Sequence, residues 1–449
     1  MATADLHDGM SPAVVAVFAL AGVSGLAIVA IVSLFIARIV HSALKAITPA
    51  PSKNSKPKPS THVKTEDGLA MVAPTKERGP DLKTLMKEQT KGAAKKVAAK
   101  DEHQSHHPLF LNTLKGHGDV VNSAVWSSDG MQLVTSCEDM LVRVFELTDV
   151  TSREPKFRRV KASKLPLGAG FGDTTEAIAI LMKGIPEGLL ALYAPSQQKE
   201  TLGNYEQQWL ISGLHGKEAP MMMRSVSAAA SLAKRSVLVA CSTKKDVRVY
   251  SAQGRELAVL EPNSLANHNL ALSNDGRFVA VASFTAEVKL WELKWARDTG
   301  EFKGAAKAME LKGHKSQVLA VAFSPDAKRC VSASKDGTLR VWNIDVRYTL
   351  SEDPKTLLVI AQPLAQNRCY QHLAFGPNNL IAASWEGTVH LLDAGTGELL
   401  ESIDAHDAAV TSMAWCPRLV RTPGAAAPHP VLATSSKDKR VRLWKHVTA

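Results

Sequence analysis

Beyond residue 108 the chain alternates apolar and polar positions in short runs, and Gly, Asp, Asn, Ser and Pro punctuate them. A period of two turns one face of each run toward a core, so the runs predict β-strands. Three segments superpose almost position for position. The first is LKGHGDVVNSAVWSSDGMQLVTSCEDMLVRVFEL from Leu114, and the second is LKGHKSQVLAVAFSPDAKRCVSASKDGTLRVWNI from Leu311. The third starts at Asp404 as DAHDAAVTSMAWCP and, after an insertion around RTPGAAAPH, continues as PVLATSSKDKRVRLWKH. His117–Asp139 and His314–Asp336 have the same separation, and His406–Asp438 is longer because of the insertion.

Degenerate copies fill the gaps: EAIAILMKGIPEGLLALYA, RSVLVACSTKKDVRVYSAQG ending in Tyr250, HNLALSNDGRFVAVASFTAEVKLWEL with His268 and Trp291, and NLIAASWEGTVHLLDAGTGELL with Leu392–Asp393. Self-similarity at this period predicts an all-β ring of four-stranded blades. Seven units fit between residues 109 and 446, at about 48 residues each. The last unit ends on its third strand, Val441 to Trp444, while Phe110 to Leu114 is a spare strand before the first. Pairing the two would remove an exposed sheet edge and close the ring.

The first hundred residues follow other rules. Ala13 to Ala37 is an unbroken run without a charge. As a helix it would extend about 37 Å, enough to cross a hydrocarbon core of about 30 Å with some tilt. Arg38, Lys45, Lys53, Lys56 and Lys58 follow it, and basic flanks stay cytoplasmic. The expected layout is a lumenal tail at 1–12, a transmembrane signal-anchor helix at 13–37, a basic and largely disordered linker at 38–107, and the ring at 108–449. A helix near 81–99 interrupts the linker. Lys83, Lys87, Lys91 and Lys95 would form one ridge along it.

Composition refines this picture in two ways. The net charge of +11 suits a polyanionic partner or a membrane surface. Much of the excess, however, lies in the linker, which weakens a nucleic-acid role for the ring. The four ridge lysines, with Arg158 and Arg159 in the basic segment SREPKFRRVKASK, are the candidate contacts for an anionic partner. A solvated spacer and a solvated blade connection are the plainer readings. Five cysteines, none in a C-x-x-C pair, support neither a disulfide framework nor a zinc site, and a reducing compartment fits them.

Each strong repeat carries a polar set. His314, Ser332, Asp336 and Trp342 make one, and His406, Thr434, Asp438 and Trp444 another. The first repeat keeps His117, Thr135 and Asp139 but has Phe145 at the Trp position. A Ser-His-Asp trio suggests a hydrolase, yet no nucleophile elbow or oxyanion context surrounds it and the set recurs. The expected role is structural: the indole N–H is accepted by the hydroxyl, and hydroxyl and carboxylate together hold the imidazole. No P-loop, H-E-x-x-H or G-x-S-x-G motif is present, so neither catalysis nor a cofactor is expected.

A GH pair opening a unit and a WD-like pair closing it are the signature of WD40 repeats. From residue 262 the chain resembles the transducin beta-like 2 branch of the WD40-repeat family, on DGRFVAVASFTAEVKLWEL, GEFKGAAKAMELKGH and SASKDGTLRVWNIDVRYTLSEDP. The resemblance implies a single-pass endoplasmic reticulum membrane protein whose cytosolic propeller serves stress signalling or translational control. Its partners would be proteins such as a stress kinase or the translation machinery. The expectation is a non-enzymatic scaffold. The alternatives are a nucleotide-exchange factor for a small GTPase of coat assembly and an RNA- or ribosome-binding adaptor.

Overall fold

A computed structural model describes residues 107–446 except 185–186, 197–203, 232–233, 245, 297 and 366–367. The expected membrane helix at 13–37, the helix near 81–99 and the ridge Lys83, Lys87, Lys91 and Lys95 lie outside the described residues. Among the described residues, no helix is long and apolar enough to cross a membrane.

Among the described residues the alternating runs become 28 strands in seven four-stranded antiparallel sheets. The spare strand is β1 (Phe110–Leu114). Blade one contains β2 (Val121–Trp126), β3 (Gln132–Cys137), β4 (Leu141–Glu146) and β5 (Phe157–Lys161); blade two β6 (Leu165–Phe171), β7 (Ile178–Lys183), β8 (Leu189–Pro195) and β9 (Tyr205–Ser212). Blade three contains β10 (Pro220–Val226), β11 (Val237–Ser242), β12 (Val247–Ser251) and β13 (Glu256–Leu260); blade four β14 (Asn267–Leu272), β15 (Phe278–Ser283), β16 (Val288–Trp295) and β17 (Phe302–Leu311). Blade five contains β18 (Val318–Phe323), β19 (Arg329–Ser334), β20 (Thr338–Asn343) and β21 (Lys355–Ala361); blade six β22 (His372–Phe375), β23 (Leu380–Trp385), β24 (Thr388–Asp393) and β25 (Leu399–Asp404). Blade seven has three strands of its own, β26 (Val410–Trp415), β27 (Val431–Ser436) and β28 (Val441–Lys445).

Its fourth strand comes from the other end of the ring. β1 pairs antiparallel with β28, with Phe110 opposite Trp444 and Leu114 opposite Val441. The seam is apolar: Leu114, Val441 and Leu443 are fully buried in one cluster with Val121, Leu133 and Phe145 of blade one. The second strand of each blade is buried nearly throughout, as in β11, β15 and β27, because blades stack on both of its faces. The outer strands β13 and β25 are largely exposed, each keeping one fully or nearly buried anchor, Leu260 and Ile403.

Blades also hydrogen-bond across their inner edges. Trp126 Nε1 of β2 donates to the Ala414 carbonyl of β26 at 3.1 Å, and Trp415 Nε1 of β26 donates to the Ala374 carbonyl of β22 at 3.1 Å. The Thr411 hydroxyl donates to the Val121 carbonyl, and the Ala169 amide donates to Ser123 Oγ at 3.2 Å. Blade seven is thus tied to both neighbours.

The insertion between β26 and β27 is more than a spacer. Val420 and His429 pair as an isolated antiparallel bridge, and Arg418 donates to the carbonyls of Gly130 (3.0 Å) and Leu147 (3.1 Å) in blade one. Gly130 permits this approach because it carries no side chain and tolerates a positive φ. Its φ is +67, and a Cβ there would lie 2.7 Å from Arg418 Cγ and 2.8 Å from Cys416 Sγ. Two further placements differ from the sequence reading. Residues 157–161 of the basic segment form the outer strand β5 rather than a connection, because Val160 alternates into the core at full burial. His107 belongs to the ring rather than the linker: its Nδ1 accepts from the Leu109 amide at 3.2 Å, and its ring packs edge-on against Trp444 at 5.9 Å.

The closing strand should therefore contribute to global stability. Leu114→Ala is expected to cost about 2–5 kcal/mol through the cavity left in the seam, read as a lower urea midpoint. An unchanged midpoint would show that the packing of Leu114 in the seam does not contribute to global stability.

Candidate functional site

The polar sets occupy one end of the blades, where the turn between the second and third strands meets the connection entering the first. In blade five the set is complete. Trp342 Nε1 donates to Ser332 Oγ at 2.8 Å, Ser332 Oγ lies 2.8 Å from His314 Nε2, and His314 Nδ1 lies 2.9 Å from Asp336 Oδ2. Asp336 also accepts from the Lys315 amide at 2.8 Å and from the Thr338 hydroxyl at 2.6 Å. Blade seven repeats the geometry: Trp444 Nε1 to Thr434 Oγ1 is 3.0 Å, Thr434 Oγ1 to His406 Nε2 is 2.7 Å, and His406 Nδ1 to Asp438 Oδ2 is 2.9 Å. Both hydroxyls are fully buried. Each spans an indole and an imidazole, which leaves neither hydroxyl facing a substrate.

Blade one departs from the expectation. His117 Nε2 lies 2.9 Å from Thr135 Oγ1, but Asp139 does not hold the ring. Arg143 takes both carboxylate oxygens, at 3.1 and 2.6 Å, and the Gly118 amide adds a bond to Oδ2 at 2.9 Å. A bidentate guanidinium outcompetes an imidazole for a carboxylate. His117 Nδ1 is left buried without a partner. Burial, reinforced by the Arg143 charge, pushes the His117 pKa down to about 4, as desolvation of a cation does.

Blade three holds a pair that the sequence reading missed. His215 Nδ1 lies 2.9 Å from Asp246 Oδ1, and Arg248 Nε donates to Asp246 Oδ2 at 2.8 Å. Ala240 faces Arg248 in this blade as Ser332 faces Arg340 in blade five, so the bridging hydroxyl is missing. His215 Nε2 is accordingly buried and unpaired. Tyr250 replaces the indole and gives its hydroxyl to Glu256 at 3.2 Å. The available signal was an Arg two or four residues after each turn Asp: Asp139–Arg143, Asp246–Arg248, Asp336–Arg340 and Asp438–Arg442. In blade six, Tyr370 Oη meets His390 Nδ1 at 2.6 Å in a buried pair of another kind. His268 of blade four is not a member of such a set; it sits on β14 with Nε2 2.9 Å from Gln317 Oε1.

The basic candidates on β5 are used within the fold. Arg158 donates to Gln132 at 3.3 Å and lies 5.9 Å from the Tyr205 ring centroid, while Arg159 lies 5.1 Å over Phe157. Arg159 remains exposed and Arg158 half-buried. Among the described residues no group of His, Cys, Asp or Glu is arranged to hold a metal ion, and Cys137, Cys241, Cys330 and Cys416 are buried free thiols.

Comparison with known proteins identifies the repeats themselves. The family described as WD domain, G-beta repeat matches residues 109–146, 306–343 and 397–445, the three strong repeats. The chain is 28% identical over 329 residues to transducin beta-like protein 2 of Homo sapiens, covering 72% of this chain and 71% of that protein. The Mus musculus protein of the same name is 28% identical over 301 residues, 66% of this chain and 65% of that one. Gem-associated protein 5 of Homo sapiens is 24% identical over 255 residues, 42% of this chain and 17% of its own length. The chain carries WD40 repeats.

Two outcomes test the networks. Ala240→Ser would give His215 Nε2 the hydroxyl it lacks and should stabilise the ring by about 1 kcal/mol, seen as a raised urea midpoint. A lowered one would mean that Tyr250 leaves no room for the oxygen. Asp336 supplies a pH test. Burial pushes its carboxyl up, but hydrogen bonds from Thr338, the Lys315 amide and His314 bring it down to about 2, against 3.8 ordinarily. A folded pKa below the unfolded one stabilises above the unfolded value and is lost as pH falls through the folded one. Asp336→Asn should therefore be less stable than wild type at pH 7, and the gap should close between about pH 4 and pH 2. A gap independent of pH would rule out the carboxylate charge as its source.

Proposed function

We propose, from the premise of a WD40-repeat ring similar to transducin beta-like protein 2, that this chain is a non-enzymatic scaffold tethered to the endoplasmic reticulum membrane. In this reading residues 13–37 cross the bilayer once, residues 1–12 are lumenal, and the ring stands in the cytosol on its basic linker. Protein partners dock on the blade loops, in stress signalling or translational control.

The observation that carries the scaffold reading is the use of the chain's apparent catalytic sets. Ser332 and Thr434 are both sealed between indole and imidazole. What remains available to partners is loop and edge surface from seven separate blades, the kind of area on which proteins dock. The uncharged run from Ala13 to Ala37, followed by basic flanks, supports the tether and its orientation. A reducing cytosol suits four buried free thiols, since disulfides are rare there. The adaptor reading for RNA is weaker on β5, where Arg158 is occupied by Gln132 and Tyr205. The exchange-factor reading has no observation in its favour here.

Protease protection on sealed microsomes, with tags at both ends of the full chain, tests the arrangement. Digestion of the C-terminal tag with protection of the N-terminal tag is expected. A protected ring would overturn the orientation and, with it, every cytosolic partner.

A further inference from the structure

The seven innermost strands, β2, β6, β10, β14, β18, β22 and β26, approach one another around the axis of the ring. Their sequences are VNSAVW, LPLGAGF, PMMMRSV, NHNLAL, VLAVAF, HLAF and VTSMAW. Aspartate, glutamate and lysine are absent from all of them, and Arg224 on β10 is the sole arginine. Arg224 is half-buried there, and a partly desolvated guanidinium with no carboxylate beside it favours an anionic partner.

Among the described residues Arg224 has one protein acceptor, the adjacent Met223 carbonyl, 3.1 Å from Nη1. It forms no ion pair there. A cavity of about 290 Å³ opens beside it, with Asn122, Gln371, His372, Thr411 and Lys437 among its walls. None of the residues lining that cavity is Asp or Glu. Lys437, exposed on the turn between β27 and β28, adds a second positive charge. His372 does not offset them. Burial, then the Arg224 charge, and also Lys437, push its pKa down to about 4, so it is a neutral hydrogen-bonding wall at pH 7.

We propose that this chamber binds a single oxyanion, a phosphate or carboxylate group held by the fork of Arg224, with Lys437 at its mouth. The planar guanidinium matches two oxygens of such a group at once. The wall of Met221, Met222 and Met223 lowers the local dielectric and strengthens that attraction relative to water. The side-chain amides of Asn122 and Gln371 supply neutral donors for the remaining oxygens. The volume suits one small anion or one acidic side chain reaching in, and excludes a folded segment. The site needs only the ring, so it stands whichever way the membrane orientation falls.

Titration calorimetry on the full chain, at fixed ionic strength held with chloride, tests this with three probes: inorganic phosphate, a capped Gly-Glu-Gly peptide and its phosphoserine counterpart. Saturable one-to-one binding of at least one probe is expected. Phosphate alone binding would identify a free anion as the source, and a tighter peptide would identify a partner's side chain. Arg224→Gln should weaken binding roughly ten- to hundredfold, and Lys437→Gln roughly two- to fivefold. The absence of saturable binding to all three probes, or undiminished binding by Arg224→Gln, overturns the proposal. Should Arg224→Gln fail to fold, phenylglyoxal modification of the wild-type chain gives the second readout. Saturating probe should slow adduct formation at Arg224, measured by peptide mapping, and an unchanged rate would overturn the site.

Discussion

Everything in the ring rests on the pairing of β1 with β28. A sheet of blades wound around an axis has two raw ends, and each end exposes an unpaired strand edge and an apolar face. Bringing the first strand into the last blade satisfies the edge and buries Leu114, Val441 and Leu443 together with blade one. The ring is closed only once this has happened. Neighbouring bonds reinforce the junction from three heights: Trp126 to Ala414 on the inner edge, Arg418 to Gly130 and Leu147 through the insertion, and Lys439 to the Gly118 carbonyl at 3.2 Å on the loop face.

Within that closed frame, the blades are not equivalent. Blades five and seven have uninterrupted chains of hydrogen bonds from indole to carboxylate. Blade three keeps the carboxylate–imidazole end and lacks the hydroxyl, while blade one keeps the hydroxyl end and loses the carboxylate to Arg143. In each defective blade one imidazole nitrogen is buried without a partner. Unsatisfied polar atoms of this kind cost stability that elsewhere goes into fixing loops. Blades one and three thus hold the histidine of the entering connection through one ring nitrogen, and blades five and seven through both.

The strand pattern, the number of blades and the closing strand were legible because they follow from local alternation and a repeat period. The tetrads of blades five and seven were legible for the same reason, since their members stand at repeated offsets. What escaped reading depended on competition between side chains. Asp139 has the right spacing from His117, but the sequence does not say that Arg143 reaches it with better geometry. His215 stands 31 residues before Asp246, outside the common offset, and its blade has Ala240 where a hydroxyl would have drawn notice. Arg224 could be singled out only after topology had gathered seven strands around one axis.

The closing strand also sets an order of events during synthesis. β1 is the first strand of the ring to be made, and its partner β28 is the last. Until Val441–Lys445 leaves the ribosome, Phe110–Leu114 has no native edge to join, and each completed blade must wait as part of an open arc. Contacts that span this much chain form late and slowly. The nascent protein therefore spends most of its production time with two unprotected sheet edges, the state in which such a chain is most exposed to aggregation.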